Sequence, residues 1–295
     1  MHARHRVVVT LISCFFVLAL PANARADFGV PISAPAPLNV DAASDHESDL
    51  RPAMATDGQG NWVAVWTSEL PQNGPGTGDD EIFVARSIDN GEHWSSPVPL
   101  NNNAATDSAG DSEPQIATDR QGHWVVVWQS FDVVGSPLGN DGDILVARSS
   151  NNGVTWTDPA PLNNYAANDA GLSNDSAPQI ATDGQGHWVT VWQSTNTLGN
   201  TIGSDGDILF SRSINDGKDW SPAAALNANA GGDTGSDNSP HIAMNAANPV
   251  ASWTTPFTAA SPIQTDSQPV AATRRPSITT ARSRCSPGAR APATR

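Results

Sequence analysis

The chain carries the stretch Ser87-Ile88-Asp89-Asn90-Gly91-Glu92-His93-Trp94 and returns to it twice, as SSNNGVTW at 149–156 and SINDGKDW at 213–220. The closing tryptophans of successive copies are 62 and then 64 residues apart. A nearly fixed period indicates one supersecondary unit repeated along the chain rather than a single irregular domain. The fold is therefore expected to consist of copies of one unit.

Each copy has a serine, a short acceptor side chain, a glycine and a tryptophan at fixed positions. These are Ser87, Asp89, Gly91 and Trp94, then Ser149, Asn151, Gly153 and Trp156, then Ser213, Asn215, Gly217 and Trp220. Asp and Asn both accept hydrogen bonds from backbone N–H groups across a turn, and glycine adopts the positive φ that tight turns use. Each copy is predicted to be a turn between two strands, with the tryptophan ring packed over it.

The aligned copies divide the chain into units. The predicted organisation is a signal peptide at 1–26, a lead-in at 27–36, blade repeats at 37–98, 99–160 and 161–224, a partial blade repeat at 225–266 and an Arg-rich tail at 267–295. The second unit has the pattern of four short strands at 115–118, 123–129, 143–148 and 154–157. Its central strands are apolar on both faces, as a blade between two neighbours requires. The predicted fold is all-β, a β-propeller of four-stranded antiparallel blades with three complete repeats and a partial fourth, in an open or incomplete ring.

The motif Ser-x-Asp-x-Gly-x-x-Trp is complete at 87–94 and has Asn for Asp in the other two copies. It resembles the Asp-box, or BNR, repeat of sialidase-like propellers, and the resemblance covers residues 37 to about 245. It implies the propeller fold. Asp-boxes occur in sialidases, in other glycosidases and in propellers with no known chemistry, so the fold leaves the function open.

A sialidase-type site would need three arginines for the substrate carboxylate, a Tyr–Glu nucleophile pair and an acidic residue. Arg51 begins an inner strand where the resemblance places the first arginine, although Leu50-Arg51-Pro52 departs from the family's Arg-x-Pro spacing. Glu113 in a neighbouring inter-blade loop and Tyr165, the only tyrosine, complete the candidate catalytic set. The alternative is that all three are solvated loop residues. Three further arginines recur just before the Asp-box and are expected to pack blades: Arg86, Arg148 and Arg212.

Successive turns of an up-and-down sheet fall on alternate ends. The Asp-box turns and the turns at Asp57, Asp119 and Asp183 should therefore share one end of the sheets. The long loops within and between blades should share the other end, where a ligand site is expected.

Acidic pairs recur at the loop end, at Asp141, Asp143, Asp205 and Asp207. Carboxylates combined with backbone carbonyls are the ligands that Ca²⁺ prefers, so a structural calcium ion is one interpretation of these pairs. The other is that Asp-Gly pairs form turns and that acidic strand starts discourage edge pairing. No other cofactor is required.

The charge distribution excludes some partners. The formal net charge is −15 at pH 7, and all 30 acidic residues lie between Asp27 and Asp266, together with only six basic ones. Nucleic acids and anionic membrane surfaces are therefore poor partners, because phosphate binding needs clustered Lys and Arg. A glycan or an extracellular protein remains as the expected ligand.

Residues 1–26 combine basic residues, an apolar run at 7–20 and small-x-small sites ending at Ala24 and Ala26. This layout predicts a secretory signal peptide, since the run is too short to span a bilayer comfortably. We expect a secreted, periplasmic or extracellular protein without membrane insertion after signal removal. The alternative is lipidation at Cys14, whose flanks resemble a lipoprotein processing site.

Residues 267–295 contain six arginines and no acidic residue. A disordered or frame-shifted segment is the interpretation favoured for this tail, and a genuine basic arm is the alternative. Closed propellers usually have about four to eight blades, so three repeats and a fragment imply either a piece of a longer propeller or self-association to complete the ring.

These observations together predict a secreted propeller that binds a glycan or another extracellular ligand through its loop rim without catalysis. The alternative is an exo-α-sialidase-type glycoside hydrolase or a truncated remnant of one. A structural surface repeat protein is the third hypothesis.

Overall fold

A computed structural model describes the chain at residues 37–38, 48–69, 79–102, 104, 110–131, 141–169, 173–232, 234–244, 249–254 and 268–269. The predicted signal peptide, the lead-in and nearly all of the Arg-rich tail lie outside these residues. The described part is built of strands arranged in four antiparallel sheets. The predicted all-β fold with an incomplete ring of four-stranded sheets is therefore confirmed.

Each sheet takes its strands in chain order. Sheet 1 contains β1 Asp49–Thr56, β2 Trp62–Glu69, β3 Asp80–Ser87 and β4 Val98–Pro99. Sheet 2 contains β5 Asp111–Thr118, β6 Trp124–Ser130, β7 Asp143–Ser149 and β8 Ala160–Pro161. Sheet 3 contains β9 Asp175–Thr182, β10 Trp188–Ser194, β11 Asp207–Ser213 and β12 Ala224–Ala225, and sheet 4 contains β13 Asn238–Met244, β14 Pro249–Thr254 and β15 Gln268–Pro269. A single turn of 3-10 helix, Ala166–Asn168, precedes β9.

The core lies between the sheets, because the second strands of the first three sheets are buried on both faces. All seven residues of β6 are buried. Trp124, Val126 and Trp128 pack with Val63 and Val65 of β2. The alternate residues of β6, Val125 and Val127, pack instead with Trp188 and Trp192 of β10. The period-2 alternation of a strand thus sends successive side chains into two different boundaries between sheets.

The predicted fourth strand at 154–157 is wrong. The outer strand of sheet 2 is instead the two-residue β8, in which Ala160 pairs with Val146 and Pro161 with Leu145. Residues 154–157 belong to the Asp-box turn, and only Thr157 N–H reaches back to the Arg148 carbonyl, at 2.9 Å. Pro159 just before β8 and Pro161 within it lack the N–H that a longer ladder needs, so the outer strand stays short.

The Asp-box turns form as predicted. In the three copies the serine Oγ accepts a hydrogen bond from the glycine N–H, at 2.9, 3.0 and 3.1 Å. The third-position oxygen accepts the N–H four residues later, at 2.9 Å from Asp89 and 3.0 Å from both Asn151 and Asn215. Asp and Asn are therefore interchangeable here, because the turn uses one oxygen that both side chains have.

Each Asp-box turn is also bonded to the turn between the first and second strands of its own sheet. The N–H of Asn90 donates to the Gly60 carbonyl at 3.0 Å, and the two other sheets repeat this bond at 3.1 Å. Both sets of turns thus share one end of the sheets, called here the Asp-box end. The opposite end, where β1, β5, β9 and β13 begin, is called the loop end.

The outward flank of sheet 1 is open among the described residues. Pro52 and Met54 on β1 are exposed, whereas Pro114, Pro178 and Pro240 at the equivalent place in the later sheets are buried. The later prolines are covered because each of their strands packs against the sheet that precedes it in the chain. Self-association that would cover this flank stays a prediction.

Candidate functional site

The first strands of all four sheets carry the same irregularity at the loop end. One residue in each strand has a positive φ and precedes a proline: Arg51 at 52°, Glu113 at 58°, Ala177 at 51° and Ser239 at 54°. In each strand the pairing register shifts at this residue, which makes it a β-bulge. A left-handed backbone at a residue other than glycine is strained, and such strain concentrates at functional sites.

The bulges bring two of the sequence-predicted residues together. Arg51 Nη1 donates to Glu113 Oε1 at 2.9 Å, and the other carboxylate oxygen of Glu113 accepts the Ala177 N–H at 2.8 Å. Glu113 therefore bridges the bulge before it and the bulge after it. The Arg51 side chain is 55% exposed and that of Glu113 is 30% exposed. The pair is open to solvent, so both side chains are accessible to a ligand.

Tyr165 does not join this pair in the structure. Its hydroxyl donates to Asp175 Oδ2 at 2.8 Å and accepts a hydrogen bond from Trp192 Nε1 at 3.3 Å. Burial, reinforced by the nearby charge of Asp175, raises the pKa of the Tyr165 hydroxyl. A phenol in this setting keeps its proton, and it lies at the boundary between sheets 2 and 3.

Four carboxylates are buried at that same boundary. Asp141 and Asp143 lie at the start of β7, Asp169 follows the 3-10 turn and Asp175 begins β9, and none of them is more than 9% exposed. Burial raises the pKa of Asp143 to about 7 and that of Asp175 to about 8, and it also raises the pKa of Asp169. The mutual repulsion of these carboxylates contributes to each of the three shifts.

A buried amide holds the cluster from one side. Asn163 Nδ2 donates to Asp143 at 2.7 Å and to Asp175 at 2.8 Å, while its Oδ1 accepts the Ile144 N–H at 3.2 Å. The same arrangement recurs one sheet later, where Asn227 Nδ2 donates to Asp207 at 2.7 Å. The amide thus fixes where the third strand of one sheet starts relative to the next sheet.

The four Asp residues predicted as calcium ligands divide between two boundaries. Asp141 and Asp143 belong to the cluster between sheets 2 and 3. Asp205 and Asp207 flank Gly206, whose carbonyl accepts the Asp237 N–H at 2.6 Å between sheets 3 and 4. The two pairs therefore recur at successive boundaries, and their role as calcium ligands stays a prediction.

Among the described residues, three metal-ligating atoms from different side chains lie within 4.8 Å of one another at two places, both at the Asp-box end. These groups are Asp89, Glu92 and His93, and Asp119, His123 and Asp216. In both groups a histidine Nδ1 lies 2.7 Å from the aspartate Oδ2 four residues earlier. Hydrogen bonding within the turn accounts for the proximity of each Asp–His pair.

Sequence reasoning places Asp169 and Asp175 on the same rim as the acidic pairs, but it misses Asn163 and the buried contact that joins the three. Their signal was present, since asparagine recurs at Asn101, Asn163 and Asn227 and aspartate recurs at Asp111, Asp175 and Asp237, at the same places in successive repeats. The sequence places these residues in loops or at strand starts. They come together only because two neighbouring sheets pack against each other.

The structure is similar to known solved structures. A leech intramolecular trans-sialidase complexed with 2,7-anhydro-Neu5Ac matches 80% of this chain and 52% of its own, at 9% identity and a TM-score of 0.50. A GH93 α-L-arabinofuranosidase of Fusarium graminearum complexed with arabinobiose matches 75% of this chain and 60% of its own, at 16% identity and a TM-score of 0.50. The fold is that of the sialidase-like β-propellers.

A Hadza microbial sialidase, Hz136, matches 70% of this chain and 42% of its own, at 15% identity and a TM-score of 0.48. The chain spans about half the length of the solved structures that it matches, between 42% and 60% for these three. No protein-family model and no curated protein matches the sequence. Within the described residues, no helix has the length and apolar character needed to cross a membrane.

Proposed function

We propose that this sialidase-like propeller binds a glycan or another extracellular ligand at the loop end of its sheets and does not hydrolyse it. The observation that carries the proposal is the line formed by the solvent-accessible Arg51–Glu113 pair and the part-buried Ala177 N–H across three adjacent inner strands. The four strained bulges, which occupy equivalent positions in the four sheets, support a binding site at the loop end. Strain of this kind persists where it positions side chains for function.

The chemistry of this line suits a polar, hydroxyl-rich ligand. Arg51 supplies planar N–H donors that match carboxylates and hydroxyls, and Glu113 supplies acceptors for hydroxyl groups. The Arg51–Glu113 ion pair is solvent-exposed, and exposed pairs contribute only about 0–1 kcal/mol to stability. A ligand can therefore replace one partner at little cost.

Two features argue against hydrolysis. Among the described residues, Arg51 is the arginine at the loop end, while Arg86, Arg120, Arg148 and Arg212 lie towards the Asp-box end. A three-arginine clamp for a carboxylate therefore has no second member in the described part of the loop end. The hydroxyl of Tyr165, the candidate nucleophile, is bonded to Asp175 rather than to Glu113. The Tyr–Glu pair that a sialidase-type nucleophile would use is therefore not formed by Tyr165 and Glu113.

The second candidate is an exo-α-sialidase-type hydrolase or a remnant of one. It is favoured by the place of Arg51 on the first inner strand and by the fold shared with the leech trans-sialidase. The third candidate, a structural surface repeat protein, requires no ligand at the loop end. Secretion belongs to the proposal as well, and its support is the predicted signal peptide at 1–26.

The test is a glycan-array screen of the purified full chain, followed by a turnover assay with a fluorogenic sialoside and with each glycan that binds. We expect binding of at least one glycan class, weakened tenfold or more by Arg51→Ala, and no turnover. Turnover that disappears in Arg51→Ala would establish the hydrolase instead. If the folded protein binds no glycan and no secreted protein, the third candidate, a structural surface repeat protein, would be supported.

A further inference from the structure

The carboxylate cluster between sheets 2 and 3 has a charge that its surroundings do not balance. Asp141, Asp143, Asp169 and Asp175 are 9%, 2%, 8% and 1% exposed. Their described hydrogen-bond donors are neutral, namely Asn163, Tyr165, Ser173, Asn196 and the hydroxyl of Ser194. Burying several like charges without a cation is unfavourable, so the cluster must take up protons or a positive ion.

Three oxygens of the cluster are buried and make no hydrogen bond. They are both carboxylate oxygens of Asp141 and the Oδ1 of Asp169. In contrast, Asp169 Oδ2 accepts Ser173 Oγ at 2.6 Å and Asn196 Nδ2 at 2.7 Å. Asp141 lies close enough to Asp143 and Asp169 to interact electrostatically with both. A buried polar atom without a partner costs about 1–3 kcal/mol, and more when it is charged, which points to a ligand for these oxygens.

We infer that the boundary between sheets 2 and 3 binds one Ca²⁺ ion, with Asp141 and Asp169 as ligands and Asp143 beside them. The available side-chain donors are all oxygens, which suit a hard cation rather than zinc or copper. Ca²⁺ accepts six to eight oxygens in flexible geometry, whereas Mg²⁺ demands a near-ideal octahedron. The ion joins the start of β7 to the segment that precedes β9, and the inference is independent of the proposed glycan binding.

The ion would draw the carboxylates together. In the structure, no three of these four carboxylates have one oxygen each within 4.8 Å of one another. Among the described residues, the two groups at the Asp-box end do meet that distance. Asp141 is the side chain that can move, because neither of its oxygens has a hydrogen bond to break. Asp169 is already oriented through its second oxygen by Ser173 and Asn196, so its Oδ1 is the fixed point of the site.

The test uses the full chain, stripped with EDTA, transferred to chelator-free buffer and titrated with CaCl₂ in a calorimeter and in a thermal melt. We expect one binding event per chain and a rise in Tm of roughly 5–10 °C at a Ca²⁺ concentration 100-fold above Kd. Asp141→Asn and Asp169→Asn should each weaken binding at least tenfold. In EDTA, Asp141→Asn should melt at or above the wild-type temperature, since it removes an unpaired buried charge.

The controls are Glu92→Gln and His123→Asn, which alter the two groups of ligating atoms at the Asp-box end and should leave Ca²⁺ binding unchanged. Asparagine already occupies the position equivalent to His123 in sheet 1, as Asn61, so this control is compatible with the fold. The inference is overturned if folded wild-type protein binds no Ca²⁺ up to about 10 mM, beyond the weak extracellular range. It is equally overturned if both Asp variants keep the affinity, if a control loses it, or if Asp141→Asn is destabilised in EDTA.

Discussion

The two ends of each sheet are made by the same strands and hold their carboxylates in opposite ways. At the Asp-box end, Asp89 is half-buried, and the His93 N–H and the Ser87 hydroxyl hold its pKa well below the usual range. At the loop end, Asp143 and Asp175 are buried, and burial raises their pKa values to about 7 and about 8. The carboxylate at the Asp-box end accepts hydrogen bonds from its own turn. The carboxylates at the loop end are buried between two sheets.

The difference separates scaffold from site. The Asp-box end repeats one set of hydrogen bonds three times with only Asp-to-Asn exchange. The loop end repeats one backbone shape but changes the side chain at each bulge, from Arg51 to Glu113, Ala177 and Ser239. A constant backbone with varied side chains is what a rigid scaffold for ligand recognition requires.

The largest effect should come from Gly153→Ala. Gly153 has a φ of 73°, and a Cβ there would lie 2.8 Å from the Val63 side chain of the preceding sheet. We expect a loss of about 1–2 kcal/mol for the left-handed backbone and about 1–3 kcal/mol more for the clash. Gly91→Ala is the matched control, because Gly91 has a φ of 84° but meets only the Trp94 ring, at 3.7 Å. Equal losses in urea unfolding would mean that the Asp-box glycines do not pack the sheets together.

The next effect concerns pH. The folded-state pKa values of Asp143 and Asp175 lie above their unfolded value of 3.8, so folding binds protons between about pH 4 and pH 8. Stability in EDTA should therefore be greatest at the acid end of that window and fall as the pH rises through it. We expect a decline of at least about 1.4 kcal/mol, the equivalent of one pKa unit, measured by urea unfolding at several pH values.

Asp175→Asn should reduce this decline, since it removes the buried group with the higher pKa. Asp89 acts in the opposite direction, because its lowered pKa makes its contribution fade only as the pH falls below 3.8. A wild-type stability that rises steadily from pH 5 to pH 8 would contradict the account of the loop end.

A smaller effect is expected at the contacts between neighbouring sheets at the Asp-box end. Gln121 Nε2 donates to the Gly184 carbonyl at 2.5 Å, and Gln59 Nε2 donates to the Arg120 carbonyl at 3.2 Å. Each Gln→Ala change should cost about 0.5–1.5 kcal/mol in chemical denaturation. The two losses should add in the double variant, because the bonds lie at different boundaries. Strong non-additivity would show that the boundaries are coupled.

The smallest effect should come from Asp89→Asn, which reproduces the residue found at Asn151 and Asn215. The Oδ1 that accepts the His93 N–H is retained, so the midpoint of urea unfolding at pH 7 should stay close to the wild-type value. A clear shift of the midpoint to lower urea would indicate that the charge, and not the acceptor oxygen, stabilises this turn.

Short-range features made the fold predictable. The turn at Ser87–Trp94 and its copies gave the period, and the apolar run in β6 gave burial on both faces. The outer strand was misplaced by a few residues, because Trp156 looked like a strand residue while Pro159 and Pro161 limit the pairing to β8. Local pattern identifies a strand more reliably than it locates the end of one.

The site was predictable only in part. Arg51 and Glu113 were selected separately, yet their separation of 62 residues equals the spacing of the first two Asp-boxes, so the repeat itself places them on neighbouring strands. Both residues have a left-handed backbone, but neither is a glycine, so the sequence contains no signal for that conformation. The Asp141 and Asp175 cluster forms only when two sheets pack, and no pattern within one repeat describes that contact.

The most direct test of the central claim compares two exposed arginines at opposite ends of the sheets. Arg51 and Arg120 are both exposed and both have a positive φ, of 52° and 63°. Calorimetric titration with the best glycan ligand should give a Kd at least tenfold weaker for Arg51→Ala and an unchanged Kd for Arg120→Ala. Binding that survives Arg51→Ala and fails in Arg120→Ala would place the site at the Asp-box end and contradict the account.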